Sequence, residues 1–257
     1  MTEIRPIQEH EAEPFLGLLC QVFDLDYGRA HSIFFTEPLF DLERKWALFE
    51  NGKPVSILTT VPLEFGWGHA IGIAGVATEK ERQGRGLAGK LLMEVIAESR
   101  RAGEGAVLLF AKDTRLYERL GFRIVDRVVR GEIESAPEEE IPFSLDFEQI
   151  RQMYDGWAAA DPNRLRRNAL RWKYWKWNLR VCTPFGDGYL CFEAGIIREI
   201  VTNAPPADWV LPAEAEWLGL ESMARRLGTE LKTMTPELSL MAYDVPGTPQ
   251  FFMTDQF

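Results

Sequence analysis

The residues whose types and spacing point to chemistry run from Gly75-Val76-Ala77-Thr78, through four charged residues, to Gln83-Gly84-Arg85-Gly86-Leu87-Ala88. A strand that feeds a glycine-rich turn and then a helix offers several backbone N–H groups without intrahelical partners, at the positive end of a helix dipole. Such a site takes pyrophosphate. Gly84 to Gly89 also satisfies G-x-G-x-x-G, but a dinucleotide fold needs that motif at the first βα turn of a parallel unit, and a hairpin precedes it here. Gly84 to Lys90 satisfies G-x-x-x-x-G-K, yet Leu91 follows where nucleotide hydrolysis needs a hydroxyl for Mg²⁺. Spacing alone gives an anion site.

The remaining pattern, Q/R-x-x-G-x-G/A after a strand ending in Val-Ala-Thr, resembles the GNAT (GCN5-related) N-acyltransferases. A second segment, Leu116-Tyr117-Glu118-Arg119-Leu120-Gly121-Phe122, is similar to that family's L-Y-x-x-L-G-F. The resemblance covers roughly the first 130 residues. It implies an acyl-CoA-dependent N-acyltransferase whose cofactor is acetyl-CoA or another short acyl-CoA. By that likeness the strand Val76-Ala77-Thr78 pairs with the pantetheine amides, and the turn Gln83, Gly84, Arg85, Gly86, Leu87 and Ala88 holds the pyrophosphate. Tyr117 would protonate the departing thiolate, a role suited to a phenol with pKa near 10. The family's Asn and Ala, seven and four residues before that tyrosine, are Phe110 and Asp113 here, so the Asn contact to the pantetheine arm is in question.

The implied reaction is direct attack of a primary amine on the thioester, with backbone N–H groups polarising the carbonyl. It needs no covalent enzyme intermediate. A carboxylate working through water would take the amine's proton, and Glu64 is one candidate. The other function class is a non-catalytic acyl-CoA sensor that keeps the cofactor site and has lost the chemistry.

The elements that must position these residues follow from periodicity. Glu3 to Ile7 reads as a strand, and Phe15, Leu18, Leu19, Val22 and Phe23 recur at helical spacing. Trp46 to Phe49 and Pro54 to Phe65 read as strands joined at Asn51-Gly52, a hairpin signal. Ile71 to Ala77 is a third strand. Gly84 to Arg101 places Leu87, Ala88, Leu91, Leu92, Val95 and Ile96 on one helix face. Ala106 to Ala111 reads as a strand buried on both sides, Thr114 to Leu120 as a short helix, and Phe122 to Val129 as a strand. The expected class is α/β in its α+β form: a GNAT fold with a central mixed, largely antiparallel sheet flanked by helices.

Residues 1–135 are expected to form the catalytic domain, 136–148 an exposed linker with Glu138-Glu139-Glu140, and 149–257 a second, smaller, degenerate GNAT-like half. That half is expected to hold strands near Gly188 to Phe192, Ile196 to Val201, Trp209 to Leu211, Leu238 to Tyr243 and Phe251 to Met253. A helix is expected over Ala213 to Leu227. Arg164 to Arg180 interleaves basic and aromatic residues and reads as a helix with tryptophans inward and basic stems over the surface. Some of its aromatics could border the acceptor pocket.

The 257 residues carry a net charge of −10 and 46% apolar residues, the usage of a folded globular protein. The charge disfavours nucleic-acid partners. The N-terminal stretch lacks the apolar core of a secretory signal, and no stretch is apolar for long enough to span a membrane. Cys20, Cys182 and Cys191 show no C-x-x-C pair and are expected to be reduced thiols in a cytoplasmic protein. His10, His31 and His69 lack metal-ligand spacing, so no metal is expected. The expected partner is a small-molecule or peptide amine acceptor, with a homodimer allowed.

Overall fold

The computed structural model describes residues 2–133, 136–138, 145–178, 181–193, 195–203, 205, 210–212 and 215–257. Strands β1 (Thr2–Pro6), β2 (Lys45–Glu50), β3 (Lys53–Phe65) and β4 (Gly68–Thr78) pair antiparallel in sequence order. Asn51 and Gly52 both take positive φ, the conformation a two-residue turn demands of its central pair. Side-chain alternation then sorts the strands' residues to two faces. Leu48 and Leu58 pack under helix α3 (Leu87–Arg101), against Leu91, Leu92, Val95 and Ile96. Ala47, Phe49 and Ile57 pack on the other face, against α1 (Ala12–Phe23) and α2 (Tyr27–Phe34).

Strand β5 (Ala106–Ala111) joins β4 in parallel and is followed by α4 (Arg115–Arg119) and β6 (Arg123–Ile133). Beyond it come β7 (Ala136–Glu138), α5 (Phe147–Ala159), β8 (Leu165–Arg166) and α6 (Ala169–Trp177). The chain then runs through β9 (Val181–Phe185), β10 (Gly188–Glu193), β11 (Ile196–Val201), β12 (Val210–Pro212), β13 (Glu216–Leu220), α7 (Glu221–Arg226) and β14 (Leu231–Tyr243). The main sheet reads β1-β2-β3-β4-β5-β14-β6-β13-β11-β10-β9, with β8 on β3. It is mixed and largely antiparallel, as expected. Strand β14, from the second half of the chain, lies between β5 and β6 of the first. Of the expected linker, residues 139–144 lie outside the described residues, whereas β7 pairs with β12. No helix among the described residues is long and apolar enough to cross a membrane.

The second half departs from its sequence reading in four places. The expected helix from Ala213 to Leu227 is strand β13 followed by the short α7, and its first two residues lie outside the described ones. Pairing with β6 and β11 overrides the local helical spacing, and a Cβ on Gly219 would stand 2.4 Å from the Trp217 indole, so only glycine fits there. Phe251 to Met253 is not a strand. It leads into a 3₁₀ turn, Met253–Asp255, after a stretch with Pro246 and Pro249. Cys182 and Cys191 face each other across β9 and β10 and form a disulfide, which corrects the expectation of three reduced thiols; only Cys20 is free.

The fourth departure is electrostatic. Arg167 and Arg171, expected over the surface, are buried. The Arg167 guanidinium reaches Glu199 and Asp255 at 2.7 Å each, with all three side chains excluded from solvent. Trp175, Tyr189 and Thr254 also donate to Glu199. Arg171 donates to the carbonyls of Asp255 and Pro62, at 3.2 and 3.1 Å, which ties the C-terminal segment to β3.

Candidate active site

Strands β4 and β5 run parallel only from Ala70 opposite Ala106 to Ile73 opposite Leu109. Past that point they part: β4 continues to Thr78 beside β3, and β5 stays paired to β14 through Ala111. Among the described residues, Ala74 to Thr78 therefore have no strand partner on the β5 side. Within that stretch the β3–β4 register slips, so that Gly75 and Val76 together oppose Leu58, and Gly75 takes φ +60°. This is a β-bulge, a device that re-aims backbone groups beside functional sites. Both strands end at the same side of the sheet, where parallel strands characteristically open a ligand crevice.

The chain leaves β4 through a 3₁₀ turn at Lys80–Arg82 and enters the glycine-rich turn. Gln83 closes it by donating to the Thr78 carbonyl at 3.1 Å. Gly84 and Gly86 adopt φ +75° and +74°, a backbone that side chains resist, and Gly86 is the N-cap of α3. The first intrahelical bond there is Lys90 N–H to Gly86 C=O, leaving the amides of Leu87, Ala88 and Gly89 without intrahelical partners. Arg85 is exposed beside them. These features fit a pyrophosphate group.

The second motif is brought to the same place. Gly89 of α3 packs against Leu116 and Leu120, the neighbours of Tyr117 on α4. Tyr117 is half-buried against the core under α3, 5.9 Å from the Phe122 ring. Burial, and secondarily the Asp113 carboxylate, push its phenol above the ordinary tyrosine range. Asp113 itself is held down at about 2 by hydrogen bonds from Arg115. Phe110, where the family pattern has Asn, packs against the rings of Phe251 and Phe257 at 6.0 and 5.1 Å, so its side chain supports the C-terminal segment instead. Glu64 is not part of the site. It pairs with His69 and Arg166, six residues along β4 from Gly75, roughly 20 Å away at strand rise.

A cavity of about 750 Å³ opens on the sheet face that carries α1 and α2 and reaches Ala74 and Gly75. Leu16, Leu19, Leu25 and Ile33 form one wall; Tyr174, Asn178, Arg198 and Phe257, from the second half, form the other. Sequence reasoning missed the α2 wall and most of the second, because residues so distant in sequence share no periodicity. Lys45 lines the cavity while almost wholly buried, 3.4 Å from Glu37 and over the Phe34 ring; burial pushes its ammonium below the usual lysine range. The Phe257 ring rests on Gly72, where a Cβ would fall 2.3 Å from Cδ2. Gly72→Ala is expected to lower unfolding free energy by about 1–3 kcal/mol through this overpacking, measured by urea denaturation.

A family model described as Acetyltransferase (GNAT) domain matches residues 3–125, the span that holds the parted strands, the glycine turn and Tyr117. Residues 3–125 are a GNAT acetyltransferase domain. The structure as a whole is similar to GCN5-related N-acetyltransferases from Kribbella flavida (TM-score 0.71, 15% identity, 94% of this chain and 70% of that one) and Anabaena variabilis (0.67, 17%, 94% and 72%). A putative acetyltransferase from Pyrococcus horikoshii gives 0.66 at 13% identity, over 97% of this chain and 91% of its own. These are likenesses of fold, and they extend past the GNAT domain into the second half. No curated protein sequence matches the chain.

Proposed function

We propose that the chain transfers an acetyl group from acetyl-CoA to a primary amine by direct attack, with residues 1–135 holding the cofactor and 149–257 closing the acceptor site. The observation that carries this reading is the separation of β4 from β5 beside an α3 N-terminus whose first amides are open. Val76, Ala77 and Thr78 lie on the edge that would pair with pantetheine amides; Gln83 to Ala88 would hold the pyrophosphate. The bulge at Gly75 and Val76 supplies backbone N–H groups for the carbonyl oxygen as charge develops on it. Tyr117 donates the proton that the departing sulfur needs.

This role requires the protonated phenol, and burial raises its pKa. Activity is therefore present below that value and lost as pH rises through it. A pH profile of kcat, followed by thiol release, is expected to show no descending limb from this group below about pH 10. A fall in kcat near pH 7 to 8 that vanishes in Tyr117→Phe would contradict the assignment.

A further inference from the structure

Half of the large apolar side chains exposed among the described residues, namely Phe23, Leu25, Tyr27, Ile33 and Phe35, fall on the end of α1, the turn after it, and α2 with its C-cap. Leu25 and Ile33, 47% and 43% exposed, also line the cavity that reaches Gly75. The exposed surface is thus continuous with the cavity wall, the arrangement expected where a ligand completes an apolar groove. The cavity's volume suits a ligand of many heavy atoms.

The charges on the lining choose between kinds of amine. Three carboxylates, Asp24, Asp26 and Glu37, are matched by three cations, Arg29, Lys45 and Arg198. Glu37 pairs with Lys45, and Asp26 accepts the Arg29 amide as a helix cap at 2.7 Å. Among the described residues, Asp24 is the one lining carboxylate with no hydrogen-bond or ion-pair partner, and the Arg29 guanidinium has none either, since only its backbone amide reaches Asp26. Lining side chains of zero net charge, with the Asp24 carboxylate as the one open anion and the Arg29 guanidinium as an open cation, leave a place for a single ammonium and none for several. An acceptor with several ammonium groups would bring charges that no side chain there offsets.

Building on the function proposed above, we infer that the acceptor is a monoamine on a bulky apolar skeleton, whose body lies along the α1–α2 lip while its nitrogen points to Gly75. The nitrogen lone pair forms the N–C bond at the thioester carbonyl and the C–S bond breaks with its electron pair going to sulfur. The ammonium first gives one proton to solvent to free that lone pair; on forming the new bond the nitrogen gives up a second proton and the sulfur takes one, leaving an amide, free CoA thiol and one proton in solution.

The test compares acetyl transfer to 2-phenylethylamine and hexylamine with transfer to spermine and kanamycin, in wild type and in the Leu25→Ser/Ile33→Ser double variant. The apolar monoamines are expected to give the higher kcat/KM. The double variant is expected to raise KM for hexylamine about tenfold or more, as loss of buried apolar contact implies, with kcat within about twofold. Preference for spermine or kanamycin, or a KM untouched by the double variant, would overturn the inference while leaving acetyl transfer intact. Acetyl-CoA binding by calorimetry with no transfer to either monoamine would overturn it too. Absence of acetyl-CoA binding would instead defeat the function on which it rests.

Discussion

Tyr117→Phe is expected to lower kcat for acetyl transfer by about 100-fold or more, while acetyl-CoA affinity stays within about twofold. The ring remains to pack against Phe122 and the core under α3, so the fold and the neighbouring glycine turn keep their support. What disappears is the phenolic proton that the proposed mechanism gives to the departing sulfur. A thiolate leaving without that proton must wait for water, and the cost falls on kcat rather than on KM. Initial rates at saturating acetyl-CoA, together with a binding isotherm, separate the two quantities. Unchanged turnover would remove Tyr117 from the mechanism and leave it a core aromatic.

Arg167→Met is expected to cost about 3–5 kcal/mol of unfolding free energy, because it strands two carboxylates in a solvent-free interior. Glu199 and Asp255 have no exposed side-chain surface with which to recover hydration. Burial alone would push the Glu199 carboxyl up; the Arg167 guanidinium and the hydrogen bonds around it outweigh that and hold it below the usual carboxylate range. A carboxyl so depressed stabilises the fold fully above its unfolded value near 4.5, and that contribution is lost as pH falls through the folded value. Wild type should therefore show a steep loss of stability in acid that the variant lacks. Arg130→Ala, which breaks ion pairs with the half-exposed Glu216 and Glu237, serves as contrast and is expected to cost less than about 1 kcal/mol. Urea denaturation of the three proteins at two pH values measures all of this.

The first half was legible because its signals are local. Asn51-Gly52 names its own turn, Gly84 and Gly86 sit where only a positive φ lets the backbone turn into α3, and the helical spacing of the apolar residues from Leu87 to Ile96 reports its buried face directly. Helix α2 was missed although Asp26 caps it, since its eight residues carry too little periodicity and expose much of their apolar surface. The second half hid more. Trp217 to Leu220 becomes a strand only because β6 and β11 offer edges to it, and a sequence does not display its distant partners. Arg167 and Arg171 read as surface charges because the carboxylates that bury with Arg167 lie 32 and 88 residues away. The cavity's far wall, with Arg198 and Phe257, follows from the same long-range closure.

The central claim is that the opening between β4 and β5, with the turn at Gly84 to Ala88, binds acetyl-CoA. Calorimetric titration of acetyl-CoA into wild type and Gly86→Asp, with NAD and ATP as controls, tests it most directly. Gly86 holds φ +74° at the N-cap of α3, so an Asp there both strains the turn and sets a negative charge among the open amides. The expected result is selective acetyl-CoA binding that weakens about tenfold or more in a variant still folded by thermal melting. Equal binding by both proteins, or none by wild type, would contradict the account.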